Sequence, residues 1–144
     1  MTIHVKQHVI SRSIIMSESI IILETAFKTK SQNLKSLYDK YFPRNLDPDY
    51  NFYKLLIKNA DNKWFNIYNV AIASGNIPVM QWCFVNNCIG DKYSCALAAY
   101  NNQLYALKWL ISIRTEYDHN YCLAQSKRHS DGVITTWLNK FTEK

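Results

Sequence analysis

The stretch CALAAYNNQLYALKWL, residues 95–110, opens on small residues, breaks at two asparagines and closes on a tryptophan among apolar positions. Its larger part, AAYNNQLYALKWL (98–110), lies without a gap over AIASGNIPVMQWC (71–83). The interval from Trp82 to Trp109 equals the interval from Ala71 to Ala98. In that frame Ile77 falls on Leu104, Met80 on Leu107, and the Gly75-Asn76 break on Asn102-Gln103. A worn third copy occupies 121–141, with Trp137 a single position beyond one full period from Trp109 and an enlarged turn at Ser130-Asp131-Gly132. Self-similarity at a period of this length marks a repeat architecture, and a degenerate last unit is expected where the outer face meets water.

Each unit reads as two helices. Cys95, Ala98 and Ala99 recur at helical spacing on a short first helix, and Leu104, Leu107 and Ile111 on a second, with Trp109 and Leu110 widening the stripe. Asn101-Asn102, like Gly75 one unit earlier, accepts a left-handed backbone and closes the turn. Asp91, ahead of Cys95, reads as the N-cap of the first helix. Because Trp82, Trp109 and Trp137 share one register position, they are expected in the core between units, with Ala98, Ala99, Leu104 and Leu107.

Upstream the period fades, but helical stripes persist. Ser17–Lys30 carries Ile21, Leu23 and Phe27, and Asn33–Phe42 carries Leu34, Leu37, Tyr38 and Tyr41 before Pro43 ends it. A third helix starts after Asp47-Pro48-Asp49, with Phe52, Tyr53, Leu56 and Ile57 as its buried side. The expected organisation is an N-terminal helical region over residues 1–62, a cap or degenerate repeat of which 1–12 is a flexible or edge piece. Three units at 63–90, 91–118 and 119–144 follow it. The fold class is therefore all-α: about eight helices, the last six forming three stacked helical hairpins in a short solenoid.

The totals agree. A chain of 144 residues with 48% hydrophobic and 19% charged residues is one folded domain's worth of sequence. Three glycines and three prolines supply too few turns for a sandwich or barrel. The formal net charge of +6 is scattered rather than run together, which reads as a solvated surface before a nucleic-acid footprint. The N-terminus has no signal-like apolar core, and Ile20–Leu23 is far short of the roughly 20 apolar residues of a membrane span. An intracellular, non-secreted protein without membrane attachment is expected, its four cysteines packed as free thiols.

At Asn86–Leu110 the residues carry a family likeness. Cys88, Asp91, Cys95, Ala98, Ala99, Asn101, Leu104, Leu107, Lys108, Trp109 and Leu110 match in register the short ankyrin-type repeats multiplied in giant DNA viruses of amoebae. Ala71, Gly75, Ile77, Val79, Met80 and Trp82 extend the match to the preceding unit. The likeness covers about residues 63–141. The chain resembles that family while lacking the Thr-Pro-Leu-His turn of standard ankyrins, and its units are shorter than the usual ~33 residues. The resemblance implies a helical-hairpin binding surface without catalysis, in a viral protein acting in host cytoplasm, nucleus or virion.

Chemical alternatives meet the repeat register. Cys83-x4-Cys88 with His119-x2-Cys122 has loose zinc spacing. Yet Cys83 occupies the slot of Leu110, and Cys95 and Cys122 share a first-helix slot, so packing accounts for them. A cysteine nucleophile lacks a presenting elbow or Gly-rich loop, and no phosphate-loop, dinucleotide or metalloprotease motif occurs. No enzyme, metal or cofactor is expected. Positions that vary between units are the candidate partner contacts: Tyr68, Tyr93, Tyr100, Asn101, Asn102 and Tyr105, tyrosine being favoured at interfaces for its large contact area. Lys127, Arg128 and His129 beside Tyr121 form a candidate basic patch, with Lys63-Trp64-Phe65 behind it; aromatic-basic clusters of this kind stack bases. The expected partner is a host or viral protein. A virion assembly role is the first alternative and nucleic-acid binding the second, and self-association would cover an exposed end of so short an array.

Overall fold

The computed structural model describes residues 16–142, and the expectation for residues 1–12 lies outside them. Among the described residues the chain is all-helical: α1 (Glu18–Thr29), α2 (Leu34–Tyr41), α3 (Asn51–Asn59), α4 (Ile67–Ser74), α5 (Ile77–Val85), α6 (Ser94–Tyr100), α7 (Leu104–Ser112), α8 (His119–Ser126) and α9 (Val133–Thr142). None is long and apolar enough to cross a membrane. The expected all-α class is what the chain adopts, and the three upstream helices fall where their stripes put them. The chain divides into two compact units. One comprises the residues up to Val70 with Gln81–Ile89; the other comprises Ala71–Met80 and the chain from Gly90 onward.

In the first unit, α1 packs on α2. Ser17 caps α1 by accepting the Ile20 N–H, with Glu18 in the first turn. The helix ends on Lys30 at φ 53°, where Ser31 N–H bonds back to Ala26 at 3.0 Å and Lys30 N–H to Phe27 at 3.3 Å. Rings of Phe27, Tyr38, Phe42, Phe52, Tyr53 and Trp82 meet at centroid separations of 4.6–6.1 Å; the Phe42–Trp82 pair is at 4.9 Å. Two buried carboxylates start helices here. Asp47 accepts the Phe52 and Tyr53 N–H groups at 3.0 and 2.9 Å and the Tyr38 hydroxyl at 2.6 Å. Glu24, 8% exposed, accepts the N–H of Ile67, the first residue of α4, at 3.1 Å.

In the second unit, α6 packs on α7 and α8, and α8 on α9. The repeat period is written in its backbone. Gly75 (φ 70°) and Asn102 (φ 58°) end α4 and α6, and Asn76→Ala71 and Gln103→Ala98 are equivalent backbone bonds, both 2.9 Å. The fully covered side chains obey the same spacing: Ala71 and Ile72 correspond to Ala98 and Ala99, and Val79 and Met80 to Ala106 and Leu107.

Several expectations need correction. The tryptophans are half-buried rather than central, and the fully covered position is the next residue: Cys83, Leu110 and Leu138, each 0% exposed. One residue is a 100° step around a helix, so Trp82, Trp109 and Trp137 lie on the flank of the stripe. Leu104 is likewise half-buried. Ile21 (47% exposed) and Ile57 (48%) face outward, their places in the core taken by Ile20 and by the neighbouring Phe52 and Leu56. Asp91 does not cap α6, which begins at Ser94; its carboxylate accepts the Tyr93 N–H at 2.8 Å, and the Asp91 N–H donates to Ser94 Oγ at 3.0 Å. Asp118, one period on, does cap α8 through the Tyr121 N–H.

Gly75 is required twice over. Its φ is positive, and a Cβ there would overlap the Gln103 carboxamide, whose Nε2 donates to Ala73 O at 3.2 Å. Gly132, at φ 65°, has nothing within 4 Å of such a Cβ. Gly132→Ala should therefore cost only the left-handed strain, about 1–2 kcal/mol. Gly75→Ala should cost clearly more, and Gln103→Ala in the Gly75→Ala background should recover part of the excess; equal losses in denaturant melts would contradict this.

Burial pushes the Glu24 carboxyl above the usual carboxylate range, against the Ile67 N–H and Lys28, which pull it down. The folded chain then favours the neutral acid, so stability falls as pH rises from the unfolded value near ~4.3 through the higher folded one. Glu24→Gln keeps an acceptor for Ile67 and should match or exceed the native stability at pH 7, the gap closing in acid. Glu24→Ala strands the N–H and should cost about 1–3 kcal/mol.

Candidate interaction surface

Two groups singled out in the sequence converge on one patch of the second unit. The Arg128 guanidinium carbon sits 3.7 Å above the centre of the Tyr100 ring, closer than any other cation–ring pair among the described residues. His129 Nε2 lies 2.6 Å from Tyr100 O, and Asn102 Nδ2 donates to Asp131 Oδ2 at 2.8 Å. Tyr100 (43% exposed), Lys127, Arg128 and Asp131 are open to solvent, while Asn101, Asn102 and His129 are half-buried.

Local structure places each of them. Tyr100 ends α6, and Asn101 caps it, its backbone N–H and side-chain Nδ2 both returning to Leu97 O at 3.1 and 2.9 Å. Asn102 takes the left-handed conformation, which turns its carboxamide toward Asp131. Lys127–Gly132 is the enlarged turn between α8 and α9, where Asp131 Oδ1 also accepts the Val133 N–H at 3.1 Å. The His129–Tyr100 contact repeats an earlier one: Gln103 donates to Ala73 O, and Ala73 and Tyr100 stand one period apart. A side chain from one turn thus meets the carbonyl that closes the preceding first helix, twice in succession.

The other candidates stand elsewhere. Tyr93 (54% exposed) pairs edge-on with Tyr121 at 6.0 Å and lies under Lys92. Tyr105 (75% exposed) shares Lys108 with Trp137, which stacks on Phe141 at 5.1 Å. Tyr68 is a correction: at 4% exposure it belongs to the interior, because the first turn of α4 faces inward beside Ile67 and Val70. Two features had no place in the sequence reading. Asp131 completes the turn patch. In the first unit Tyr50, in a left-handed conformation, gathers Asp39, Arg44 and Lys35 around its ring and hydroxyl. The interval from Tyr100 to Arg128, close to one repeat length, was the available signal for the patch.

The four cysteines are free and buried. Burial, with Cys122 nearby, pushes the Cys95 thiol up to about 12; burial, with Asp118 nearby, pushes Cys122 up to about 11. Both are protonated at neutral pH, a state that packs well and attacks poorly. Among the described residues no three His, Cys, Asp or Glu side chains are grouped to hold a metal ion. Comparison of the chain with protein-family models, curated proteins and solved structures finds no match.

The Asn102 carboxamide and then the Val133 N–H hold the Asp131 carboxyl below the usual aspartate value. A depressed folded-state value contributes stability above the unfolded one and loses it as pH falls through the folded one. Asn102→Ala should move the Asp131 midpoint upward in a carboxyl NMR titration; an unmoved midpoint would show that the contact does not persist in solution.

Proposed function

We propose that this chain is a non-catalytic protein-interaction module of the ankyrin-like helical-hairpin kind, as its resemblance to the giant-virus repeat family implies. Its contact surface is the turn edge formed by Tyr100, Asn101, Asn102, Arg128 and His129. The stacking of Arg128 on Tyr100 carries the reading. It unites residues the repeat left free to vary, and it holds a large ring and a planar cation in one fixed arrangement. Arginine and tyrosine are enriched among the residues that dominate binding energy, and pre-ordering them lowers the entropy lost on association. The partner is a host or viral protein, and the chain acts inside the infected cell.

The exposed Trp64 (71%) under Lys63 at 5.0 Å favours a second reading, binding of single-stranded nucleic acid by stacking. Affinity capture with the full chain, compared with a Tyr100→Ala/Arg128→Ala variant, separates the two. A specific protein should be captured and its affinity should fall at least about tenfold in the variant, a loss of ~1.4 kcal/mol or more. Retention of every captured protein by the variant would overturn the assignment of the surface. Nucleic acid captured instead, with affinity falling steeply with salt and lost in Trp64→Ala, would establish the second reading.

A further inference from the structure

Cys83, in the last turn of α5, and Cys88, just past its end, lie in the first unit. Cys88 N–H donates to Cys83 O at 2.9 Å across the left-handed Asn87. Given standard backbone dimensions, that bond keeps the two Cα atoms within about 7 Å of each other, inside the span a disulfide can close. The neighbouring Cys88 thiol, together with burial, raises the Cys83 thiol above the usual range. A third sulfur adjoins them, Met16 Sδ at 3.9 Å from Cys88 Sγ.

The turn does not demand sulfur. One period on, Thr115 N–H makes the same bond to Leu110 O at 3.1 Å, across the left-handed Arg114, with no cysteine at either position. The fold supplies the spacing, and this copy alone fills it with two thiols. Access is set by the helix end: Cys83 is 0% and Cys88 3% exposed, but the flanking Asn87 and Ile89 face solvent. Opening of the segment after α5 exposes Cys88 first, since local unfolding begins at chain segments with few buried contacts.

We infer that Cys83 and Cys88 form a reversible oxidation site that closes an intrachain disulfide in the presence of a hydroperoxide. Cys88 gives its proton to solvent and its sulfur attacks a peroxide oxygen; the O–O bond breaks, leaving a sulfenic acid and one water. The Cys83 sulfur then attacks the Cys88 sulfur. The S–S bond forms, the S–O bond breaks, and the departing oxygen leaves as a second water, taking up the Cys83 proton. Two thiols and one hydrogen peroxide become one disulfide and two waters, the sulfurs oxidised and the peroxide reduced. A dithiol reductant reverses the step by exchange.

The test exposes the reduced full chain to hydrogen peroxide, removes the peroxide, and alkylates with N-ethylmaleimide in denaturant before intact-mass and peptide analysis. The expected product has lost two hydrogens and takes up two maleimides, on Cys95 and Cys122. The peptide carrying Cys83 and Cys88 is unalkylated until dithiothreitol restores it. A Cys95→Ala/Cys122→Ala variant should close the same disulfide, and Cys88→Ser should close none. Four maleimides after peroxide, separate sulfinic acids on Cys83 and Cys88, or disulfides drawing on Cys95 or Cys122 as often would overturn the inference. The native-chain peptide analysis decides the matter even where a variant fails to fold.

Discussion

Helices of seven to twelve residues are too short to persist through hydrogen bonding alone, so what ends them decides whether the chain can bring one against the next. Here the recurring solution is one left-handed residue and a hydrogen bond reaching back five positions. It closes α1 at Lys30, α4 at Gly75, α5 at Asn87, α6 at Asn102 and α7 at Arg114. Only one of these five positions is a glycine. At the other four a left-handed backbone persists in L-residues, and the returned bond offsets part of the strain. Every covered side chain in the register, from Ala71 and Ala98 to Met80 and Leu107, is placed by where these reversals fall.

The two units use the reversals with different interiors. The first is filled by aromatic rings, and its polar anchors are the buried carboxylates of Asp47 and Glu24, each satisfied by the N–H groups that begin another helix. Burying a carboxylate is costly unless it is hydrogen-bonded, and a helix N-terminus supplies both donors and a favourable field. The second unit is filled by alanines and cysteines together with larger aliphatic side chains such as Met80, Leu107, Leu110 and Leu138, and it is the alanines that let short helices approach. Besides the buried Ser94 and Ser126, its polar side chains reach from one turn to the carbonyl of the last, Gln103 to Ala73 and His129 to Tyr100.

The helical class, the upstream helices and the repeat register were legible because periodicity survives in single residues: Gly75 against Asn102, Ala71 against Ala98. What was not legible depended on angle or on distant partners. The tryptophans marked the register correctly but sit one residue off the covered line, a difference that a pattern of apolar residues does not resolve when Cys83, Leu110 and Leu138 follow directly. Tyr68 looked like a variable position and is interior. Of the candidate surface, the residue types were visible, whereas the stacking of Arg128 on Tyr100 and the part of Asp131 require knowing which turns are neighbours. Glu24, mid-helix in an apolar run, gave no sign that its partner was the distant Ile67.

The side-chain link from Gln103 to the Ala73 carbonyl, seated over the bare Cα of Gly75, also acts as a gauge of chain length. A residue gained or lost within α6 would turn Gln103 by more than a quarter of a helical turn and leave both the carbonyl and the glycine's empty side unmatched. The Lys127–Gly132 turn carries its own cross-turn links, from His129 to the Tyr100 carbonyl and from Asp131 to Asn102, and only its Gly132 has an open side. Of the two glycine turns, the one at Gly132 therefore has room for a side chain, while the one at Gly75 is already filled by a residue one period away.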